Sequence, residues 1–197
     1  MRTLLTLVIL IVASAGSAST EPLSDGDRQR LLAHLQMTEG WLTTELEGLS
    51  PAQLRYRMSP ESWTIMDVVE HLAVAEPQYW QQLRKSLERP AVQGYKPEAT
   101  DADILWYGID RSRRQKTGEA RVPSGRFADV KDSFGAFRTL RGTMLELAKG
   151  TGEDLRGRAL IDGNMDVYQW FLMISSHAQR HVLQIREIKE SPGYPRG

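Results

Sequence analysis

Four stretches of the chain place apolar residues three and four positions apart, the repeat of a helix with one buried face. The first runs from about Ser24 to Leu49, with Leu31, Leu32, Leu35, Leu42, Leu46 and Leu49 in register. Ser24 suits an N-cap, Asp25 and Asp27 sit near the positive end of the helix dipole, and Ser50-Pro51 ends the segment. The second runs from about Trp63 to Leu87, with Ile65, Val68, Leu72, Ala75, Tyr79 and Leu83 on one face. Pro77 inside it predicts a kink or a break. The third runs from about Phe127 to Lys149, with Gly150 placed as a C′ residue. The fourth runs from about Asp166 to Glu190 and is stopped by Ser191-Pro192-Gly193.

Four amphipathic helices of this length predict an all-α protein, a four-helix bundle over residues 24–190 with a short flexible tail at 191–197. The connection between the second and third helices is about forty residues, long for a bundle loop, and permits a crossover. Part of it, around Asp101 to Gln115, has helical character of its own, with Ile104, Leu105, Tyr107 and Ile109 ahead of an arginine-rich run. No strand signal, internal repeat or low-complexity tract competes with this reading. The length of 197 residues suits one domain. Lys plus Arg and Asp plus Glu balance at 25 each, so the total charge offers no footprint for nucleic acid.

The N-terminus reads as a targeting segment. Arg2 precedes an apolar run from Leu4 to Val12, and small residues follow from Ala13 to Ala18. The run is shorter than the ~20 residues of a membrane span. Residues 1–18 are therefore expected to be a signal peptide, cut after Ala15 or Ala18, with an uncleaved anchor as the alternative. The expected location is periplasmic or secreted, with no membrane association once the signal is removed. The chain has no Cys, which excludes a lipobox, disulfides and thiolate ligands. A metal would have to be held by imidazole, carboxylate or backbone oxygen.

The four histidines carry the chemistry. His177 and His181 are one helical turn apart within the apolar stripe of the fourth helix, and His71 lies beside Leu72 on the buried stripe of the second. If those two helices are neighbours, three imidazoles converge inside the bundle. Three neutral rings bind a divalent zinc, nickel or iron ion and leave positions open. An i,i+4 pair alone is weak evidence, and a single core histidine is usually a packed, hydrogen-bonded residue. Ala178 follows His177, so the glutamate base of a His-Glu-x-x-His helix is missing. His34 is read as structural or exposed.

The order of these motifs resembles the DinB/YfiT superfamily. The resembling residues are Pro60-Glu61-Ser62-Trp63-Thr64-Ile65 followed by His71-Leu72-Ala73, and His177-Ala178-Gln179-Arg180-His181-Val182-Leu183-Gln184-Ile185 at the end. Pro123-Ser124-Gly125, Phe137-Arg138 and Asp166 to Trp170 add to it, so the likeness spans roughly Asp25 to Ile188. It implies a four-helix bundle with a long second-to-third connection and a mononuclear site on His71, His177 and His181, holding zinc or nickel. The implied reactions are metal-assisted hydrolysis and thiol S-transfer on a small molecule. The usual member is cytoplasmic, whereas this chain carries an export segment. Low-molecular-weight thiols are scarcer outside the cytoplasm, which weighs against the transferase.

Around the histidines, Asp67 is one turn before His71 and is placed to orient its ring or act as a fourth ligand. Asp67 and Glu70 are the candidate bases. Gln184 and Arg180 are candidates for contacts behind the ligands, Gln184 to a ring N–H and Arg180 to an anionic group at the pocket mouth. Trp63 and Trp170 suit the core better than a substrate platform. Arg111 to Lys116 reads as a solvated helix face, with a phosphate or partner site as the sharper option. The non-catalytic alternative is a small-molecule or partner-binding module with a structural metal. Homodimerisation is compatible with a bundle, although no second apolar face is evident.

Overall fold

The computed structural model describes residues 21–161 and 163–196. The expected signal peptide lies outside the described residues. The described residues form six α-helices and no strands: α1 (Asp25–Leu46), α2 (Pro51–Arg55), α3 (Ile65–Leu87), α4 (Asp101–Ile109), α5 (Val130–Gly150) and α6 (Val167–Glu190), with a 3₁₀ turn at Glu119–Arg121. No described helix is long and apolar enough to cross a membrane. Each long helix starts where a capping side chain satisfies its free N–H groups. Ser24 accepts from the Asp27 N–H, Thr64 from Asp67, Asp129 from Asp132 and Asp166 from Gln169.

Three local expectations are corrected. α1 ends at Leu46, with Glu47 as its C-cap, and Ser50-Pro51 instead opens α2, through a capping box with Gln53 and Pro51 at the first helical position. α3 continues through Pro77, which sits on its exposed face, so of the expected kink or break the break does not occur. Gly150 stays helical without a positive φ, and Thr151 is the C-cap. The stretch after α6, expected to be frayed, is held on α2. Tyr56 donates to the Pro192 carbonyl at 2.7 Å, Gln53 donates to the Pro195 carbonyl at 3.1 Å, and Tyr56 and Tyr194 meet edge to face.

The four long helices form the bundle. α1 packs on α5 and α6, and α3 packs on the same two, so α1 and α3 occupy opposite corners. Side-chain contacts give the directions. Arg28 at the start of α1 donates to the Ala148 and Thr151 carbonyls at the end of α5, so those helices are antiparallel. Glu45 near the end of α1 receives Arg186 and Lys189 near the end of α6, so those two are parallel. Trp170 early in α6 donates to the Tyr79 carbonyl late in α3, whereas His177, further along α6, meets His71, earlier in α3. α3 and α6 are therefore antiparallel, and α3 and α5 run the same way. Parallel neighbours cannot be joined by a short hairpin loop. The long connection that carries α4 between α3 and α5 provides the required return. α4 lies on α6 at Gly108, where a Cβ would come within 3.0 Å of the Ser176 carbonyl.

The core is layered. One apolar cluster holds Leu31, Leu35, Leu83, Met144, Phe171 and Ile174. A second holds Leu42, Val68, Leu72, Phe137, Ala178 and Val182. Between them, each long helix contributes a buried polar group: Thr38, Glu76, Arg141 and Ser175. Ser175 bonds the Thr38 hydroxyl at 3.0 Å and the His34 ring at 2.7 Å. His34 is thus structural, held between Ser175 and Gln179.

Candidate metal centre

α3 and α6 build the site because they are antiparallel neighbours and each turns its histidines inward. The capping box of Thr64 and Asp67 sets the start of α3, so His71 falls two turns into the helix. α6 is covered by α1, α3 and α4, which buries residues around most of its circumference, His177 and His181 among them. The His177 Nε2 lies 3.1 Å from the Nε2 of His71 and 3.1 Å from the Nε2 of His181. The three ligand nitrogens all lie within 4.8 Å of one another, and the rings are buried.

Their other nitrogens show what the convergent ones can do. His71 Nδ1 lies 2.8 Å from the Arg121 carbonyl, an acceptor only, so Nδ1 carries the proton and Nε2 carries a lone pair. His181 Nδ1 lies 2.8 Å from Gln184 Oε1, which gives the same tautomer. His177 Nδ1 is buried without a partner. Two inward lone pairs face a third nitrogen, and at most one proton from His177 is available to bridge them. Burial holds His71 below the ordinary imidazole range and holds His177 and His181 well below it, helped in the latter two by the neighbouring rings. Protonating the cluster is therefore opposed. Nitrogens about 2.0–2.1 Å from a tetrahedral zinc lie about 3.3–3.4 Å apart, close to the 3.1 Å separations found. The donor set fits a divalent ion.

The cluster opens into a cavity of about 540 Å³, within the range of small-molecule sites. Trp63 covers the rings, 4.9 Å from His71 and stacked 6.3 Å from His181. Tyr79 stands edge-on to His177 at 5.3 Å. Both aromatic side chains line the cavity, so Trp63 is a wall of the site as well as part of the core. Trp170 packs against the apolar cluster of Leu31, Leu83 and Phe171.

Asp67 and Glu70 turn out to have other partners. Asp67 accepts from the Thr64 N–H at 2.8 Å and pairs with Arg57 at 3.1 Å, so its carboxylate serves the helix start and is directed away from His71 as ligand or orienter. Glu70 is buried and accepts from the backbone N–H groups of Ser124, Gly125 and Arg126 at 2.7, 3.1 and 3.1 Å. It clamps the Pro123-Ser124-Gly125 turn, where Gly125 has φ +74°. Neither carboxylate lines the cavity. Gln184 contacts the His181 ring as described. Arg180 lines the cavity, but its guanidinium is engaged by the carbonyls of Tyr107, Asp110 and Arg113, where it ties the crossover to α6. The Arg111–Lys116 run is not helical, since α4 ends at Ile109, and Arg111, Arg114 and Lys116 face the cavity. Sequence reasoning missed Arg121 and the site role of Tyr79. Arg121 lies in an aperiodic connection, and nothing local marks its carbonyl as a partner for a ring fifty residues away.

Bundle and cluster together define a helical protein with a candidate three-histidine metal site built from two antiparallel helices. The DinB superfamily sequence profile matches residues 25–185, and the chain belongs to that superfamily. YuaE, an uncharacterised protein of Bacillus subtilis, is 26% identical over 162 residues, 77% of this chain and 91% of the relative. YfiT from Bacillus subtilis is described as a probable metal-dependent hydrolase with an unusual four-helix bundle topology. Its structure matches with a TM-score of 0.57 and 19% identity, over 86% of this chain and 89% of that one, which shows a shared fold.

Proposed function

We propose that this chain is an exported metal-dependent hydrolase acting on a small molecule, with one divalent ion, zinc or nickel, held by His71, His177 and His181. One observation carries the reading: three buried Nε2 atoms converge at a cavity of about 540 Å³ while two of the rings spend their outer N–H on fixed acceptors. A bound divalent ion supplies Lewis acidity, which polarises a substrate oxygen and lowers the pKa of water to about 7. Arg121 and Gln184 hold two rings in the ligating tautomer. Trp63 and Tyr79 shield the cluster from bulk water. With Asp67 and Glu70 engaged elsewhere, Glu61 is the cavity-lining carboxylate without an ion pair among the described residues, since Glu187 is paired with Arg111. Glu61 is therefore the proton acceptor in this reading. The YfiT description agrees with a hydrolase. The expected signal peptide supports export and weighs against thiol transfer.

The test is metal analysis of the protein from its own compartment, then turnover of ester, amide and thiol-plus-electrophile panels by the metal-loaded protein. Hydrolysis that is lost in His181→Ala and reduced in Glu61→Gln is expected. Equal rates for wild type and His181→Ala overturn the enzymatic reading. The second reading is a binding module with a structural metal, and it is favoured by the structural employment of both Asp67 and Glu70. It requires a metal-dependent rise in stability with no turnover on any panel.

A further inference from the structure

Five cationic side chains line the cavity against two carboxylates, in a chain whose total charge is balanced. Two of the five are already satisfied. Arg111 forms a two-point pair with Glu187 at 2.9 and 2.8 Å, and Arg180 is turned to backbone carbonyls. Arg121 is different. Its carbonyl is fixed by His71, and its guanidinium lies 5.3 Å from the centre of the Tyr79 ring, which itself abuts His177. Its Nε is buried without a hydrogen-bond partner, and no carboxylate among the described residues pairs with it. Arg114 and Lys116 stand exposed at the rim, also without an ion pair among the described residues.

We propose that the cavity takes a substrate bearing a carboxylate or phosphate group, and that the Arg121 guanidinium is the residue that binds this oxyanion. The inference rests on the three-histidine reading above and names its substrate class. Three neutral imidazoles leave the charge of a divalent ion uncancelled, and Arg121 adds a further positive charge beside it. A cationic substrate is repelled by this arrangement. A neutral apolar substrate would cover the Arg121 donors and leave them unsatisfied, which is costly for a charged group. An oxyanion satisfies the planar donor fork at two points. Stacking on Tyr79 and anchoring through the carbonyl hold the fork in place before the anion arrives. Arg114 and Lys116 raise the local anion concentration at the entrance, and their effect is screened by salt. Arg121 is a binding and specificity residue here, not a ligand.

Calorimetric titration with inorganic phosphate and with succinate tests this, on metal-loaded and metal-free protein, for wild type, Arg121→Gln and Arg121→Lys. Arg121→Gln should bind the favoured anion at least tenfold more weakly in both metal states. Its metal content should stay unchanged, because His71 uses the backbone carbonyl and not the side chain. Arg121→Lys should recover part of the affinity. Arg114→Gln/Lys116→Gln should cost a few-fold, and that loss should vanish in high salt. The stronger of the two anions tells carboxylate from phosphate. Equal anion affinity in wild type and Arg121→Gln overturns the inference and leaves the metal reading standing. A wild type that takes up no metal overturns the functional reading, while the metal-free titrations still decide the role of Arg121.

Discussion

Glu76 and Arg141 meet at 2.6 Å in the polar layer between the two apolar clusters, with both side chains fully buried. Burial pushes the Glu76 carboxyl up to about 7, against the pull of Arg141. Arg141 also lies 4.9 Å from the Phe137 ring centre and keeps two buried nitrogens without partners. Removing one partner strands the other charge in the core. Glu76→Gln is expected to lower urea-unfolding stability by about 3–5 kcal/mol, whereas Glu76→Met/Arg141→Leu should recover most of that loss. A single variant as stable as wild type would refute the pairing. The histidine cluster sets the response to acid. Its three rings have lowered values by burial, and the ordinary value in the unfolded chain is 6.5. Above that pH neither state binds these protons. As pH falls through 6.5, the unfolded chain binds protons that the fold refuses, so stability drops by up to about 1.4 kcal/mol per pH unit for each ring. Glu76 acts oppositely: between about 7 and its ordinary 4.5 the fold keeps a proton that the unfolded chain releases, so its contribution rises as pH falls. His34 is lowered by burial as well and Asp166 is raised to about 6, so four rings outweigh two carboxyls. The urea midpoint of metal-free protein should therefore fall between pH 6.5 and 5, and a flat or rising midpoint contradicts the assignment.

At the scale of elements, α3 and the connection to α5 are joined by adjacent residues. His71 binds the Arg121 carbonyl, and Glu70 gathers three N–H groups three to five residues further on. The 3₁₀ turn at Glu119–Arg121 ends at the first anchor, and the Pro123-Ser124-Gly125 turn is held at the second. Glu70→Ala should release the turn, loosen the partner of the His71 ring and weaken metal affinity by about tenfold, within the 10–100-fold span of outer-shell changes. Asp67→Ala should lose only the bond accepted from the Thr64 N–H and the pair with Arg57, about 0.5–2 kcal/mol of stability with metal affinity intact. A catalytic base would behave differently, losing turnover at unchanged metal affinity. Competition titration against a chromogenic chelator separates these outcomes. At the other end of the bundle Arg156 pairs with Asp27, Asp101 and Asp166, which brings the starts of α1, α4 and α6 onto one guanidinium. Burial raises Asp166 to about 6, so it is the weakest acid of that trio.

For the molecule as a whole, an ion bound only by the fold stabilises it through mass action. At a free-metal concentration 100 times the Kd the gain is about 2.7 kcal/mol, roughly 5–10 °C in Tm for a chain of this size. Adding zinc or nickel to metal-free wild type should give that shift, and the same addition to His71→Ala/His177→Ala/His181→Ala should give none. Equal shifts in the two proteins would place the ion elsewhere.

Much of this was written locally. Apolar spacing marked all four long helices, and Ser24 marked where the first begins, because helix period and end chemistry act within a few residues. His177 and His181 were legible as a pair because one turn separates them on a single helix. His71 was legible only as a residue on a buried stripe. Its meeting with the pair depended on α3 and α6 becoming antiparallel neighbours, which follows from how four faces and a long crossover pack together. The same long-range packing turned Glu70 into a loop clamp and brought Arg121 onto the Tyr79 ring that abuts His177. Sequence alone determined the four long helices and which rings are the candidate ligands. Tertiary structure decided which charges face the cavity, because that depends on contacts between residues fifty or more positions apart, and no local pattern encodes them.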